Sequence, residues 1–166
     1  MLRLVECRDL PRLAALRADV GLQHLLMANP AEPTVADPLA ELYDWVKRRE
    51  AAGVFRIIAG RADEALGFLQ IADIHRKNRL GWLGIALLPE ARGAGNGRAA
   101  LAEAEALAFS DTGLRKLILI VRADNGPAIA LYDSAGWRKV GHLEAQYDDG
   151  RVLHDALVFE KLLGKL

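Results

Sequence analysis

The 166-residue sequence predicts an α/β (α+β) chain built on one mixed, mostly antiparallel sheet of about seven strands, flanked by about four helices. Three observations carry this. Four segments place apolar residues at helical spacing, and seven others alternate with period two or run apolar over a strand's length. The order is β-α-α-β-β-β-α-β-α-β-β. Only the strand after the third helix reads as a fully buried, parallel-type run. No repeat, low-complexity tract or linker divides the chain, so a single domain over residues 1–166 is expected.

Each element has its own signal. Residues 2–6 (LRLVE) alternate as a short strand. Residues 8–20 place Leu10, Leu13 and Leu16 at helical spacing, with Asp9 as the expected N-cap and Pro11 near the first turn. The three prolines of residues 28–38 make a loop. Asp37-Pro38 opens a second helix that stops at Gly53. Residues 54–60 and 65–75 form an antiparallel pair about RADE, and residues 79–88 are a third strand. Residues 97–109 are alanine- and leucine-rich helix, and 115–123 the buried strand. In residues 124–137, Pro127 fits the first helical position and Gly136 the left-handed C-terminal cap. Strands 141–147 and 151–159 flank Asp148-Asp149-Gly150, a hairpin signal.

Composition narrows the function classes. Twenty-two basic and twenty-two acidic residues cancel, which argues against a dedicated nucleic-acid binder. A single cysteine, Cys7, excludes an internal disulfide and a cysteine-based zinc site, and no metal is expected. The first ten residues hold no long apolar run. Neither a signal peptide nor a membrane anchor is expected, and the plain reading is a cytoplasmic protein.

The chemistry concentrates at LPEARGAGNGRAAL, residues 88–101. Gly93, Gly95 and Gly97 stand at a helix start despite their conformational cost, and Arg98 opposes the helix dipole there. Both oddities fit a turn that holds an anion on backbone N–H groups. A P-loop fails because Gly97 is followed by Arg98-Ala99 rather than Lys-Ser/Thr. The dinucleotide fingerprint fails because Arg98 stands where its third glycine belongs. In the other register Ala100 is tolerable, but no βαβ unit surrounds it.

The remaining pattern, Arg92-x-x-Gly95-x-Gly97, resembles the acetyl-coenzyme A turn of the GCN5-related N-acetyltransferases (GNAT). A second motif follows in RADNGPAIALYDSAGWRKVGHL, with Asn125 and, seven residues on, Tyr132. The resemblance covers nearly the whole chain and implies a GNAT-like fold, acetyl-CoA as co-substrate and no metal. It implies that the pyrophosphate sits on the N–H groups of Gly93, Ala94, Gly95, Asn96, Gly97 and Arg98, with Arg92 and Arg98 neutralising it. Asn96 replaces the family's aliphatic residue, and a capping role is open to it. The pantetheine arm is implied beside Ile85, Ala86 and Leu87, and on Asn125. The catalytic residues implied are Tyr132, protonating the departing thiolate, and Leu87, whose N–H polarises the thioester carbonyl.

The resemblance leaves the base open. Ribosomal-protein N-terminal acetyltransferases place a glutamate where this chain has Ile120; the candidates elsewhere are Asp73, His75, Glu144, His154 and Asp155, or a water relay. Trp45, Trp82 and Trp137 read as core or interface, residues 47–50 (KRRE) as a solvated helix end, and His24 and Met27 as neighbours of the substrate loop. The expected activity is transfer of the acetyl group to a primary amine, by direct attack in a ternary complex. The partner is a small-molecule or peptide amine, with no nucleic acid and no membrane, and a homodimer is compatible with the sequence. Acidic residues gather only at the last hairpin and IHRKNR is basic, which favours an amine that also carries an anion, such as a nucleotide-linked amino sugar. Protein N-termini, polyamines and a non-catalytic acetyl-CoA sensor are the alternatives.

Overall fold

The computed structural model describes residues 1–28 and 38–164. Its strands are β1 (Leu2–Arg3), β2 (Val54–Ala59), β3 (Ala65–His75), β4 (Leu80–Leu87), β5 (Lys116–Arg122), β6 (Arg138–Asp148) and β7 (Leu153–Leu162). They form one sheet in the order β1-β2-β3-β4-β5-β7-β6. Every neighbouring pair is antiparallel except β4–β5, so the expected mixed, mostly antiparallel sheet of seven strands is present.

The helices are α1 (Leu10–Ala18), α2 (Val20–Leu25), α3 (Pro38–Ala52), α4 (Asn96–Ser110) and α5 (Gly126–Ser134). This is five where the sequence suggested about four. At Asp19 the backbone turns extended and the side chain accepts from Leu22 N at 2.9 Å, which ends α1 and caps the six-residue α2. Asp9 corrects a second expectation. Its carboxylate makes no cap for α1; it is buried and takes both ends of the Arg3 guanidinium, at 2.7 and 2.8 Å. The expected cap at Asp37 and most of the proline loop lie outside the described residues.

The sheet has a core on each face. Leu13 and Leu16 of α1, Leu22 of α2, and Leu42 and Val46 of α3 pack on Phe55, Ile57 and Phe68. On the other face Ala100, Leu101, Ala104 and Ala108 of α4 join Leu69, Leu117, Leu119 and Phe159. The small residues of α4 bring its axis close to the sheet. Gly97 extends that stripe: an added Cβ would stand 3.0 Å from Leu131 Cδ2 and 3.5 Å from Leu87 Cδ1. The start of α4 is thereby held against both β4 and α5. Among the described residues, no helix is long and apolar enough to cross a membrane.

Leu101, fully buried beneath the start of α4, tests this packing. Leu101→Ala should lower unfolding free energy by about 2–5 kcal/mol in urea denaturation. A loss below about 0.5 kcal/mol would mean that α4 does not anchor on the sheet.

Candidate functional site

β4 and β5 pair in parallel only at Leu80–Lys116, Gly81–Leu117 and Trp82–Ile118. β4 continues to Leu87 and β5 to Arg122, so the two strands part after Trp82. A cavity of about 1280 Å³ opens in the gap. Leu83 to Leu87 line one side of it and Ile120 and Val121 the other.

The glycine turn closes one end. Gly93 and Gly95 hold φ of +77° and +81° with open space where a Cβ would be, so conformation rather than crowding requires glycine at both. Gly95 is the N-cap of α4, and the first bond of the helix runs from Ala99 N to Gly95 O at 3.1 Å. The N–H groups of Asn96, Gly97 and Arg98 therefore lie outside the helical ladder, which makes this end an anion acceptor by its geometry.

Among the residues singled out from the sequence, Ile85, Ala86, Leu87, Arg92, Gly93, Gly95, Gly97, Arg98, Asn125 and Tyr132 all line this cavity. Ala94 and Asn96 do not. Asn96 caps no helix: its Nδ2 donates to Ala91 O at 2.9 Å and ties the turn to the 3₁₀ segment Pro89–Ala91. Arg92 donates from Nε and Nη2 to Leu87 O, at 3.1 and 3.0 Å. Two of its five N–H donors thus fix the end of β4, and three remain. The exposed Arg98 keeps its side chain toward the cavity.

Asn125 is the N-cap of α5, its Oδ1 accepting from Ala128 N at 3.3 Å. Pro127 is accordingly the second helical residue, one later than the sequence suggested. Gly136 has the left-handed φ of +74° expected after the helix end. Two turns on from Asn125, Tyr132 packs its ring against Trp137 and Phe159. Its hydroxyl has no hydrogen-bond partner among the described residues, yet it is not sealed off from the cavity. Burial pushes its pKa up to about 12, so the phenol stays protonated throughout the neutral range.

The base candidates separate clearly. Ile120 lines the cavity and supplies no base. His75 Nδ1 accepts from Asn78 N in a turn, and Glu144 is exposed on β6 outside the cavity. His154 binds Asp149 at 2.8 Å, and Asp155 accepts from Ala145 N while meeting His142. These groups hold the last hairpin together. Asp73 alone of the candidates lines the cavity, where a bulge in β3 puts it at φ +47°. Nearby, Gln70 presents a buried Oε1 with no hydrogen-bond partner. It also lines the cavity and sits opposite Gly84 in register.

Several lining residues escaped the sequence reading. Trp45 and Trp82 face the cavity, whereas only Trp137 is core. Arg49, in the segment read as a solvated helix end, lines it together with Arg17. A glycine turn announces itself by composition; a half-buried arginine on an amphipathic helix has no such signal. His24 Nδ1 meets the Tyr147 hydroxyl at 2.8 Å, which joins α2 to the last hairpin at the cavity wall.

Residues 20–137 match the model of the Acetyltransferase (GNAT) family. A spermidine N(1)-acetyltransferase of Vibrio cholerae serotype O1 is 26% identical over 146 residues, covering 88% of this chain and 83% of the relative. The crystal structure of spermidine N-acetyltransferase from Vibrio cholerae in complex with CoA and spermine has a TM-score of 0.87 at 24% identity, over 98% of this chain and 95% of that one. A dodecameric structure of spermidine N-acetyltransferase from Vibrio cholerae in an intermediate state has a TM-score of 0.78 at 23% identity, over 98% and 93%.

The raised pKa of Tyr132 has a consequence for stability. Between about pH 10 and 12 the unfolded chain ionises this tyrosine while the folded chain does not, so the parent loses stability there. At pH 11 the loss is about 1 kcal/mol relative to pH 9. Tyr132→Phe should lack that increment in urea denaturation at the two pH values. Parallel losses in both proteins would show that the phenol is not held protonated.

Proposed function

Since the chain belongs to the acetyltransferase (GNAT) family and is an acetyl-CoA-dependent N-acetyltransferase, we propose that the gap between β4 and β5 is where acetyl-CoA and a small amine react. The observation that carries this is the convergence of three features on one cavity: parted strands, a glycine-capped helix start and a protonated, unpartnered tyrosine.

The pyrophosphate is taken by the N–H groups at the start of α4, with Arg98 adding charge. Arg92 contributes by keeping Leu87 in place. The pantetheine arm adds to the backbone of Ile85–Leu87, which β5 leaves unpaired, and the Asn125 amide N–H holds it from the far side. The neutral amine attacks the thioester carbonyl, and the Leu87 N–H stabilises the developing oxyanion. The C–S bond breaks, Tyr132 donates its proton to the departing sulfur, and the products are the N-acetyl amine and CoA. The nitrogen gives up its proton to Asp73, directly or through water, while Gln70 Oε1 accepts a hydrogen bond from the amine.

The acceptor is a small primary amine that carries an anionic group, as a nucleotide-linked amino sugar does. Among the described residues, four arginines and one aspartate line the cavity, a balance that repels a polycation. The second reading, a polyamine, is favoured by the names of the relatives, which are spermidine acetyltransferases.

Tyr132→Phe keeps the ring's packing and removes the proton. Turnover on the best amine of a panel should fall about 10²–10⁴-fold with acetyl-CoA affinity unchanged. The defect should shrink as pH approaches the thiol's own value near ~8.5, where the thiolate leaves unaided. A variant as active as the parent would reduce Tyr132 to a packing residue. A parent that binds acetyl-CoA but acetylates nothing would favour a sensor.

A further inference from the structure

The end of the cavity away from the glycine turn carries an arrangement that the transfer chemistry does not use. Arg17 of α1 and Arg49 of α3 both stand over the Trp45 ring, their guanidinium carbons 4.8 and 5.4 Å from its centroid. All three side chains are half-buried and line the cavity. Among the described residues, neither guanidinium is hydrogen-bonded or paired with a carboxylate, unlike Arg3, Arg8, Arg12, Arg122 and Arg138.

Their position follows from the strands beneath. Arg12, near the start of α1, donates to Ala65 O and meets Glu90, so it marks the end of β3 beside the glycine turn. Arg17 lies five residues further, about 7.5 Å along the helix axis. Trp45 packs edge-on to Phe55 and Phe68. Arg49 is one turn closer to Gly53, whose neighbours are Ile71 and Ala72. The pair therefore lies on the Ala72–Asp73 side, away from the phosphate-holding turn at Leu87.

A guanidinium stacked on an indole uses its face for the ring and keeps its in-plane N–H donors for a ligand. Two such groups, partly desolvated and with no carboxylate paired to them among the described residues, form a fork for paired anionic oxygens.

Resting on the transferase reading given above, we propose that Arg17, Trp45 and Arg49 form the acceptor's anchoring subsite, which takes a diphosphate joined to the amine-bearing group. A nucleoside diphosphate with an amino sugar fits: the diphosphate lies on the arginines that Trp45 holds in place, and the amine points toward Asp73 and Tyr132. Spermidine offers nothing to this subsite and is repelled by it.

The test is calorimetry with UDP on protein saturated with CoA, so that the glycine turn is already filled. The parent should bind UDP, and inorganic pyrophosphate more weakly, while spermidine should neither bind nor compete. Arg17→Gln and Arg49→Gln should each weaken UDP at least tenfold and leave CoA affinity unchanged, which also certifies their folding. Arg61→Gln, an exposed arginine outside the cavity, should match the parent. CoA-loaded parent that binds no UDP, or arginine variants that bind UDP as the parent does, would overturn the subsite and leave the transferase reading intact. Failure of CoA itself to bind would instead remove that reading, and the subsite with it.

Discussion

Parallel pairing between β4 and β5 lasts for three residues and then ends, and the arrangement of the site follows from that divergence. A continuous sheet would satisfy the backbone of residues 83–87 with a neighbouring strand. Here β3 pairs with one edge of that segment, while the other edge faces a cavity, and the helix that follows β4 starts at its mouth. The two strands are held apart by what flanks them. Gly97 seats α4 against Leu87 and Leu131, while Arg92 binds the Leu87 carbonyl and secures the strand end. On the other side β7 pairs with β5 along its whole length, from Lys116 to Arg122, so β5 is not free to close the gap.

Tyr132 shows how burial sets chemistry. Its ring packs against Trp137 and Phe159 in the core, while the residue also lines the cavity. The same desolvation that holds the ring raises the pKa, so the phenol keeps its proton through the neutral range. No neighbouring charge is needed. Asp73 has the opposite setting: it is exposed and sits in a bulge of β3.

Much of this was legible in the sequence. The strands were readable from period and apolar runs, and the glycine turn from a spacing that other phosphate-binding turns do not share. Asn125 and Tyr132 could be placed because their seven-residue spacing matches the second motif of the family that the chain resembles. What was not legible depends on tertiary placement. Asp19 ends one helix and caps the next in a single residue, which hides α2 from any periodicity. Asp9 reads as a cap but is claimed by Arg3, six residues earlier on β1. Arg17 and Arg49 lie thirty-two positions apart in sequence and meet only on Trp45. The five base candidates were equivalent on paper; the hairpin's own hydrogen bonds occupy His154 and Asp155, and only Asp73 lines the cavity.

The account turns on acetyl-CoA entering where β4 leaves β5, and amide hydrogen exchange measures that residue by residue. Adding acetyl-CoA should slow exchange at Ile85, Leu87 and residues 93–98, and leave Leu80, Gly81 and Trp82, which already pair with β5, unchanged. Slowed exchange confined to the β6–β7 hairpin, or none at the glycine turn under saturating acetyl-CoA, would contradict it.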